Sequence, residues 1–559
     1  PAHLAAPAHL AAPAHPSPAA RPRPFAPPLL PPRDETLYTT GTSSGPPTNF
    51  NPLDSTSYTG TQGLLYEPLF LYDPLHGKFI PWLATSGSWT STGSYQLTVR
   101  NGVSWVSSTS GDIAGPLSAS DVVYSIKLAV SDASDPYHTE AADVSSVTAS
   151  GERVTVNFAK PVGYAQWQEF LWHAPILPER QWSRIPPGSA TTYANTAPVA
   201  SGPMLLYSVS RSQACYRDNP HWWGAQQLRL SFKFAYLCDV VSGSSGSELS
   251  DLLADHIDWS NGLLRGITTL AGGGGYDIKT YYSGQPYMIP ASTAWLEMAT
   301  TRAPMNNVNF RLAVAYALDT SAIVTDVYTG TVTAANPTGL LPELSSFIEA
   351  SVVKKHGFHY SISLAKRYLS KSGYAGEQLQ LLVPQGWVDL INAASLISKQ
   401  VGKVGIHVTV TVLPWAERNQ DIADGKFDLA IDDPVGLAST PWSYFDTIYH
   451  LPLSSGGGVN PERFSSPADW ALVQEAAQTP LTDMTALEGI YANLELDFLE
   501  QLPVVPLWYS GAWFQANTKL WHGYPSSTSK SDQFTPVMWR GWLGSATTVL
   551  ALADLQRSH

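Results

Sequence analysis

The first half of the chain alternates apolar and polar residues over short stretches, which predicts β-strands. The segment SYQLTVRNGVSWV has this pattern, and Asn101-Gly102 within it predicts a hairpin turn. A second hairpin is predicted through Ser150-Gly151, and two further strands are predicted on either side of the turn HWWG at 221–224. This part of the chain is therefore expected to be rich in antiparallel sheet.

Helical periodicity appears between strands from about residue 290 to 510. Apolar residues at helical spacing predict one helix over 309–330, and a second helix is predicted to end at Gly373. The segment AASLISKQVGKVGIHVTVTVLPW predicts a helix, a glycine turn and a strand in succession. Because strands and helices alternate here, an open α/β sheet is predicted.

Residues 1–32 have neither pattern. They repeat the unit PAHLAA and are rich in proline, so they bury too little apolar surface to offset the entropy of ordering. We expect a disordered Pro/Ala-rich linker. Because the chain starts without Met, we also expect that a signal or anchor segment preceded it.

Composition narrows the possible functions. Of the 559 residues only 14% are charged, and the net charge is 32 − 45 = −13. Nucleic-acid binding and a polybasic membrane patch both require clustered Lys and Arg, so both are disfavoured. No run approaches 18 consecutive apolar residues, and therefore no membrane span is predicted.

The chain has two cysteines, Cys215 and Cys238, too few for a disulfide-dense scaffold or a four-thiolate zinc site. In an exported protein they are predicted to form one disulfide. The alternative is two separate buried thiols that pack as small apolar residues.

Aromatic residues are abundant, with 19 Trp, 26 Tyr and 17 Phe. Some of these rings must lie in the core, but flat rings with a polar edge also suit the apolar faces of sugars. No nucleophile elbow, zinc helix or phosphate-binding loop is present in the sequence, and no metal or cofactor is predicted. A binding cleft lined by aromatic rings is therefore favoured over an active site.

Several segments, in order, resemble the extracellular solute-binding proteins of family 5, which serve ABC importers for oligopeptides and, in some branches, oligosaccharides. These segments include LLYEPLFLYDPLHGKFIPWLATSGSW, LTVRNGVSW with PLSASDVVYSIKLA, DNPHWWG, VNFRLAVAYALDTSAIVTDVYTG and LEQLPVVPLWYSGAWF. The resemblance covers roughly residues 36–545. It implies an α/β, two-lobed fold of the periplasmic-binding-protein type (type II, large cluster with an extra domain), with mixed sheets flanked by helices and a hinge between the lobes.

This fold implies a first lobe made of 33–290 plus 505–559, with an inserted subdomain at about 70–200, and a second α/β lobe at 291–504. Chain crossings are expected near 286–295 and 502–509. It further implies a monomer that works with ABC importer permease subunits. We expect the protein outside the cell or at the cell envelope, as a membrane-anchored lipoprotein or a secreted protein.

The branch is judged from the region KFDLAIDDPVGLASTPWSYFDTIY, where peptide-binding members carry an aspartate for the ligand's amine. This sequence has no carboxylate at that place after Asp433, whereas its tryptophan-rich segments resemble the cellobiose-type, oligosaccharide-binding branch. Its tail carries five tryptophans: Trp508, Trp513, Trp521, Trp539 and Trp542. A neutral oligosaccharide is therefore the expected ligand.

Sugar-binding residues are expected just after predicted strands, because ligands in open α/β sheets bind beyond the carboxyl ends of strands. Rings would stack on the sugar and short polar side chains would bond its hydroxyls. The candidates are Asn49, Asn51, Trp387, Asp389, Trp415, Asp432, Asp433, Trp442, Tyr444, Trp508, Tyr509 and Trp513.

Two other functions stay open. A peptide-binding protein of the same family would be indicated by a carboxylate facing the ligand's amine. A glycoside hydrolase, a remoter possibility, would be indicated by two facing carboxyl groups ~5–10 Å apart across the cleft.

Overall fold

The computed structural model describes residues 31–40, 46–54, 56–186, 188–242, 245–272, 275–453, 459–529, 534 and 547–558. Apart from Pro31 and Pro32, the predicted linker over 1–32 lies outside these residues. So do Trp539 and Trp542 of the tryptophan-rich tail.

The strands are numbered in chain order. They are β1 (Thr36–Thr40), β2 (Phe70–Asp73), β3 (Lys78–Pro81), β4 (Ala84–Ser91), β5 (Ser94–Val99), β6 (Ser104–Ser107), β7 (Ile113–Pro116), β8 (Val144–Ser150), β9 (Arg153–Phe158), β10 (Val199–Ala200), β11 (Met204–Val209), β12 (Gln213–Asp218), β13 (Tyr236–Val240), β14 (Trp259–Ser260), β15 (Ile278–Thr280), β16 (Ile289–Met298), β17 (Thr333–Ala334), β18 (Gln378–Pro384), β19 (His407–Leu413), β20 (Leu429–Asp432), β21 (Val504–Ala512), β22 (Gln515–Asn517), β23 (Trp521–His522) and β24 (Gln556–Arg557).

The α-helices are numbered in the same way. They are α1 (Ala119–Ser131), α2 (His138–Ala141), α3 (Tyr164–His173), α4 (Glu179–Trp182), α5 (Trp223–Gln227), α6 (Ser245–Leu253), α7 (Ile267–Gly272), α8 (Val308–Ala317), α9 (Thr320–Tyr328), α10 (Ala350–His356), α11 (Ile362–Ser372), α12 (Val388–Gly402), α13 (Trp415–Ala423), α14 (Trp442–Tyr449), α15 (Pro467–Gln478), α16 (Met484–Gln501) and α17 (Thr548–Ala553). Short 3₁₀ turns span Arg33–Glu35 and Pro342–Phe347.

Two large mixed sheets organise the described residues. One has the strand order β11-β12-β13-β1-β14-β22-β15, and the other has the order β17-β21-β16-β20-β18-β19. In the second sheet β18 runs parallel to both β19 and β20, while β16 is antiparallel to β20 and β21. The predicted α/β sheet between about 290 and 510 is confirmed by this arrangement.

The chain passes directly between the two large sheets at two places. Strand β15 of the first sheet is followed by β16 of the second, so one crossing is residues 281–288. Strand β21 of the second sheet is followed by β22 of the first, so the other crossing is Trp513-Phe514. The segment 502–509, where this crossing was expected, lies mostly within β21, because the strand continues to Ala512 before leaving the sheet.

A four-stranded antiparallel sheet, β4-β5-β9-β8, is inserted between β1 and β13. Its strands β5 and β9 alternate buried and partly exposed positions, as their sequences predict. The hairpin at Ser150-Gly151 joins β8 and β9, with Gly151 at φ 59°. Helix α1 begins after Ser118, which forms a capping box with Asp121.

Two local predictions are wrong and a third is right in part. Asn101-Gly102 does not close a hairpin, since β5 pairs with β4 and β9 while β6 pairs with β7 and β10. The stretch 309–330 forms two helices, because the Asp319 side chain accepts from the backbone N–H of Ala322 and starts α9. The two strands predicted around HWWG are present only in part, as β12 and β13, which pair with each other. Residues 204–218 form the hairpin β11–β12, and after the turn only 236–240 are a strand.

Glu67 is fully buried and accepts hydrogen bonds from three tryptophans of the first core. One carboxyl oxygen accepts from the indole N–H groups of Trp82 (2.9 Å) and Trp222 (3.2 Å). The other accepts from Trp223 (3.1 Å) and from the Ser201 hydroxyl (2.9 Å). Burial raises the pKa of Glu67 to about 7. Trp82, Trp222 and Trp223 are core residues, since their exposures are 0–2%.

Cys215 and Cys238 form a disulfide, with their Cα atoms 4.0 Å apart. The reason is the register of β12 and β13, which places the two cysteines directly opposite each other in an antiparallel pair. The bond therefore joins neighbouring strands of the first sheet.

Candidate functional site

The carboxyl ends of three parallel strands meet at one edge of the second sheet. Strands β18 and β19 end in register at Pro384 and Leu413, and the next N–H, of Gln385, donates to the Leu413 carbonyl at 2.7 Å. Trp387 follows β18 and Trp415 follows β19, while Asp433 directly follows β20. These candidate residues, separated in sequence, are thus placed along the same edge, as the strand-end argument predicts.

Trp387 and Trp415 form an exposed pair of stacked rings. Their centroids lie 5.5 Å apart with an interplanar angle of 13°. Trp387 is 40% exposed and Trp415 is 47% exposed, which is unusual for side chains of this size. A rigid apolar surface with polar indole edges is the result, and such a surface suits a flat ligand face.

The buried residue Arg418 packs against the Trp415 ring of this pair. The Arg418 guanidinium lies 5.7 Å from the Trp415 ring, and it is only 1% exposed. It donates to Asp432 at 2.8 Å and to the Ile431 carbonyl at 2.6 Å. Asp432 is therefore held in an ion pair that positions α13 and Trp415, and it is not a free group at the edge.

Two half-buried carboxyl groups lie beside the rings. Asp389 accepts from the Tyr328 hydroxyl at 3.3 Å, and Asp433 accepts from the Ser292 hydroxyl at 3.1 Å. Burial raises the pKa of Asp389, and it raises the pKa of Asp433 to about 7, with repulsion from Asp432 adding to the effect. A carboxyl group that titrates near neutral pH can donate as well as accept a hydrogen bond.

Trp513 lies at the crossing between the two sheets. Its half-buried ring packs against the core of the second sheet and also against a small cluster that contains Leu264, Ile267 and Met288. Gly511 makes this packing possible, since a side chain there would lie 2.7 Å from Met288 and 3.1 Å from the Trp513 ring. Trp513 is thus the candidate ring that packs against two separate apolar clusters.

The segment that follows β14 of the first sheet also contacts the second sheet's core. Leu263, in the segment between β14 and α7, packs against the core of the second sheet. Arg265 follows it, is exposed, and lies close enough to Asp389 to oppose the rise in the pKa of that carboxyl group. The segment between β14 and α7 therefore brings a positive charge near the Asp389 carboxyl group.

Four candidates from the sequence are corrected by their burial. Trp442, Tyr444, Trp508 and Tyr509 are 1–6% exposed and belong to the cores. The Trp508 ring packs 5.0 Å from Tyr328, in a strand with β16 on one side and β17 on the other. Buried rings present no face to a ligand, so these four are left out of the proposed site.

Asn49 and Asn51 are also corrected. Asn51 is fully buried, and its amide donates to the carbonyl groups of Ala190 (2.7 Å) and Tyr193 (2.9 Å). The Asn49 amide donates to Asp54 at 2.5 Å. These hydrogen bonds hold the loop that carries Asn49 and Asn51 in place, so neither side chain is assigned to the ligand site.

Arg265, Tyr328, Ser292 and Arg418 belong to the site but were not predicted. Arg265, Tyr328 and Ser292 each act on a candidate residue far away in sequence, and single-sequence patterns carry no signal for such contacts. Arg418 lies only three residues after Trp415, but its ion pair with Asp432 depends on how α13 packs against β20. Within the described ranges, no group of three or more His, Cys, Asp or Glu side chains is arranged to hold a metal ion. In the same part of the chain, no helix combines the length and apolar character needed to cross a membrane.

Two large sheets are joined by two direct crossings, and exposed rings and polar groups lie at the carboxyl edge of the second sheet. This architecture is that of a two-lobed solute-binding protein. Residues 78–454 match the family model described as "Bacterial extracellular solute-binding proteins, family 5 Middle". The match covers more than half of the chain, and the chain belongs to this family.

Solved structures agree. A periplasmic oligopeptide-binding protein of an oligopeptide ABC transporter from Thermotoga maritima superimposes with a TM-score of 0.88, at 32% identity over 94% of this chain and 100% of that chain. A mannohexaose-bound structure of the same protein gives a TM-score of 0.86 at 32% identity over 94% and 99%. The predicted fold class, a two-lobed α/β fold of the periplasmic-binding-protein type, is confirmed.

A curated relative is heme-binding protein A of Haemophilus influenzae. It is 22% identical over 87% of this chain and 90% of its own length. Family and structural neighbours are solute-binding proteins rather than enzymes, and they work as periplasmic or extracellular components of ABC importers. The chain is accordingly assigned to the substrate-binding components of ABC importers.

Proposed function

We propose that this protein captures a neutral oligosaccharide in the cleft between its two lobes and presents it to the permease subunits of an ABC importer. The observation that carries the proposal is the stacked pair Trp387–Trp415, which is exposed at the carboxyl edge of the second sheet. Sugars offer apolar C–H faces to such rings. Because these faces are uncharged, a stacking surface recognises them without an ion pair.

Polar groups next to the rings support the same ligand class. Asp389 accepts a hydrogen bond from the Tyr328 hydroxyl, and Asp433 accepts one from the Ser292 hydroxyl. Sugar hydroxyls are chemically equivalent donors. With a pKa of about 7, Asp433 supplies both a donor and an acceptor form near neutral pH. The proposed site residues are Trp387, Trp415, Trp513, Asp389 and Asp433.

The relative from Thermotoga maritima gives independent support, since it shares 32% identity with this chain and has been solved with mannohexaose. The proposed ligand is therefore of the same chemical class as one known for a similar protein. Its linkage and length are left to experiment.

Capture would proceed by closure of two lobes, 33–290 with 505–559 and 291–504, about the crossings at 281–288 and 513–514. Trp513 lies in one crossing and contacts both sides, so its surroundings would change on closure. The ligand undergoes no chemistry in this scheme, and the closed form is what the importer would recognise. The protein would act as a monomer outside the cell or at the cell envelope, anchored as a lipoprotein or secreted.

A panel of thermal-shift measurements tests the proposal. Ligands that bind only the folded state stabilise it by RT ln(1 + [L]/Kd), about 2.7 kcal/mol at 100 times Kd. Mannohexaose, cellobiose and their α-linked counterparts should include at least one sugar that raises the melting temperature, while di- to pentapeptides should not. A rise with peptides alone would refute the sugar assignment.

Peptide binding is the second candidate, and one observation favours it. Arg265 and Asp389 place opposite charges on the two sides of the boundary, an arrangement that would suit the two termini of a zwitterionic peptide. Substituting Arg265 by Gln separates the two functions. A peptide ligand would lose affinity at least tenfold, whereas stacking of a neutral sugar on Trp387 and Trp415 would be retained.

A further inference from the structure

A cavity lies away from the Trp387–Trp415 edge. It has a volume of about 490 Å³ and is formed by β2 to β5 and α3 of the inserted region, closed on one side by residues 480–482. This volume is in the range of cavities that hold small organic ligands. None of the residues proposed for the oligosaccharide site lines it.

Six of its fifteen lining residues are aromatic. The six rings are Phe70, Phe79, Trp89, Tyr95, Tyr164 and Trp167. They brace one another: the Trp89 ring lies 4.6 Å from Tyr164 and 5.3 Å from Tyr95, and the Tyr95 ring lies 5.8 Å from Trp167. Because the rings are held in mutual contact, the wall is preformed.

A glycine allows two of the lining rings to pack against the backbone of β4. Gly87 lies on the edge strand β4, and a side chain at this position would collide with the Tyr95 hydroxyl and lie 3.1 Å from the Phe70 ring. The Tyr164 hydroxyl is turned to the Thr92 carbonyl, to which it donates at 3.0 Å. The ring faces therefore remain as the main surface offered to a ligand.

The wall carries no formal charge. Among the described residues that line the cavity, none is Asp, Glu, Lys, Arg or His. Burying an ion here would cost several kcal/mol without a partner, and burying many hydroxyl groups against rings would also be unfavourable. Ser88 and Thr482, both exposed, put hydroxyl groups among the lining side chains.

We propose that this cavity is a second ligand site, which binds an uncharged, mainly aromatic small molecule. The occupant would contact rings of the inserted region on one side and Leu481 on the other. Leu481 packs against both the first and the second core, so the occupied cavity would tie the inserted region to the second lobe. The proposal is independent of the ligand assigned to the interlobe cleft.

The test is a calorimetric titration of the full-length protein with 1-naphthamide, with 1-naphthoate as the anionic probe of the same size. Two variants narrow the cavity from different elements, Ser88→Trp on β4 and Thr482→Trp before α16. Ser86→Trp is the matched control, since Ser86 is exposed on the same strand but does not line the cavity. Circular dichroism establishes that all three variants are folded.

We expect saturable binding of 1-naphthamide, at least tenfold weaker in both Ser88→Trp and Thr482→Trp and unchanged in Ser86→Trp. Binding of 1-naphthoate should be at least tenfold weaker than that of the amide. The proposal is overturned if the amide does not bind, if both narrowing variants bind it like the parent, or if the anion binds equally well. Displacement of the amide by mannohexaose would also overturn it, because the probe would then occupy the interlobe cleft.

Discussion

Trp387 and Trp415 stack on each other at 5.5 Å, although they follow different strands of the sheet. The contact arises because β18 and β19 are parallel neighbours that end in register at Pro384 and Leu413. The segments that follow the two strands leave the sheet at the same edge, and there the two rings stack on each other. This relationship is the basis of the proposed ligand site.

Replacing either ring of this pair should weaken sugar binding. Trp387→Ala and Trp415→Ala each remove an exposed stacking surface, and the expected loss is about 1–3 kcal/mol, or roughly tenfold to hundredfold in Kd. Because both rings are exposed, the melting temperature should change little. Titration calorimetry measures the affinity and calorimetric unfolding measures the stability.

Tyr360→Ala is the control for this pair, since Tyr360 is a 41% exposed ring just before α11 and is not part of the stacked pair. It should leave both quantities at parental values. Parental sugar affinity in both tryptophan variants would contradict the stacking role.

Trp508 has the opposite expected behaviour, because it is 1% exposed and packs on Tyr328. Trp508→Ala should lower the free energy of unfolding by about 3–5 kcal/mol, the usual cost of deleting a buried large ring. Chemical denaturation measures this, with Trp508→Phe expected to lose less. If Trp508→Ala kept parental stability but bound sugar tenfold more weakly, the core role would be contradicted and Trp508 would be assigned to the ligand site.

Much of the second lobe could be predicted from the sequence, because strand–helix alternation and strand ends are local signals. The positions of Trp387 and Trp415 follow from these signals alone. Trp508 could not be judged in the same way: strand β21 is covered on both faces, and local sequence does not distinguish a buried ring at a strand's end from a ring in a cleft. The roles of Arg265 and Ser292 depend on contacts between distant segments, which no local pattern encodes.

Glu67 should be essential for the stability of the first core. Both its oxygens accept hydrogen bonds, and in Glu67→Gln the new amide N–H₂ would face indole N–H donors, leaving buried donors unpaired. The expected loss is about 1–3 kcal/mol in the free energy of unfolding. Denaturant titration at pH 8 measures it.

Glu152→Gln, at an exposed position of the β8–β9 turn, is the matched control and should be neutral. Equal stability of the parent and Glu67→Gln would mean that the indole donors find other acceptors.

Asp433 should make stability depend on pH. Its pKa is raised to about 7 in the folded protein from 3.8, chiefly by burial, so the folded state holds the proton over a range in which the unfolded state has lost it. The stabilising contribution is complete below pH about 4 and is lost as the pH rises to about 7. Asp433→Asn cannot titrate, and its stability relative to the parent should therefore increase between these limits and level off above.

Denaturation of both proteins at pH 4.5, 6, 7.5 and 9 gives this difference directly. Comparing the variant with the parent cancels the contributions of other buried carboxyl groups, such as Glu67. A difference that is constant with pH would show that Asp433 titrates normally.

The central claim, capture of a neutral oligosaccharide between the lobes, is tested most directly by titration calorimetry of the purified protein with mannohexaose, cellobiose and trialanine. The account predicts saturable binding of a sugar with one site per chain and no saturable heat with trialanine. Saturable binding of trialanine, together with no binding of either sugar, would contradict it.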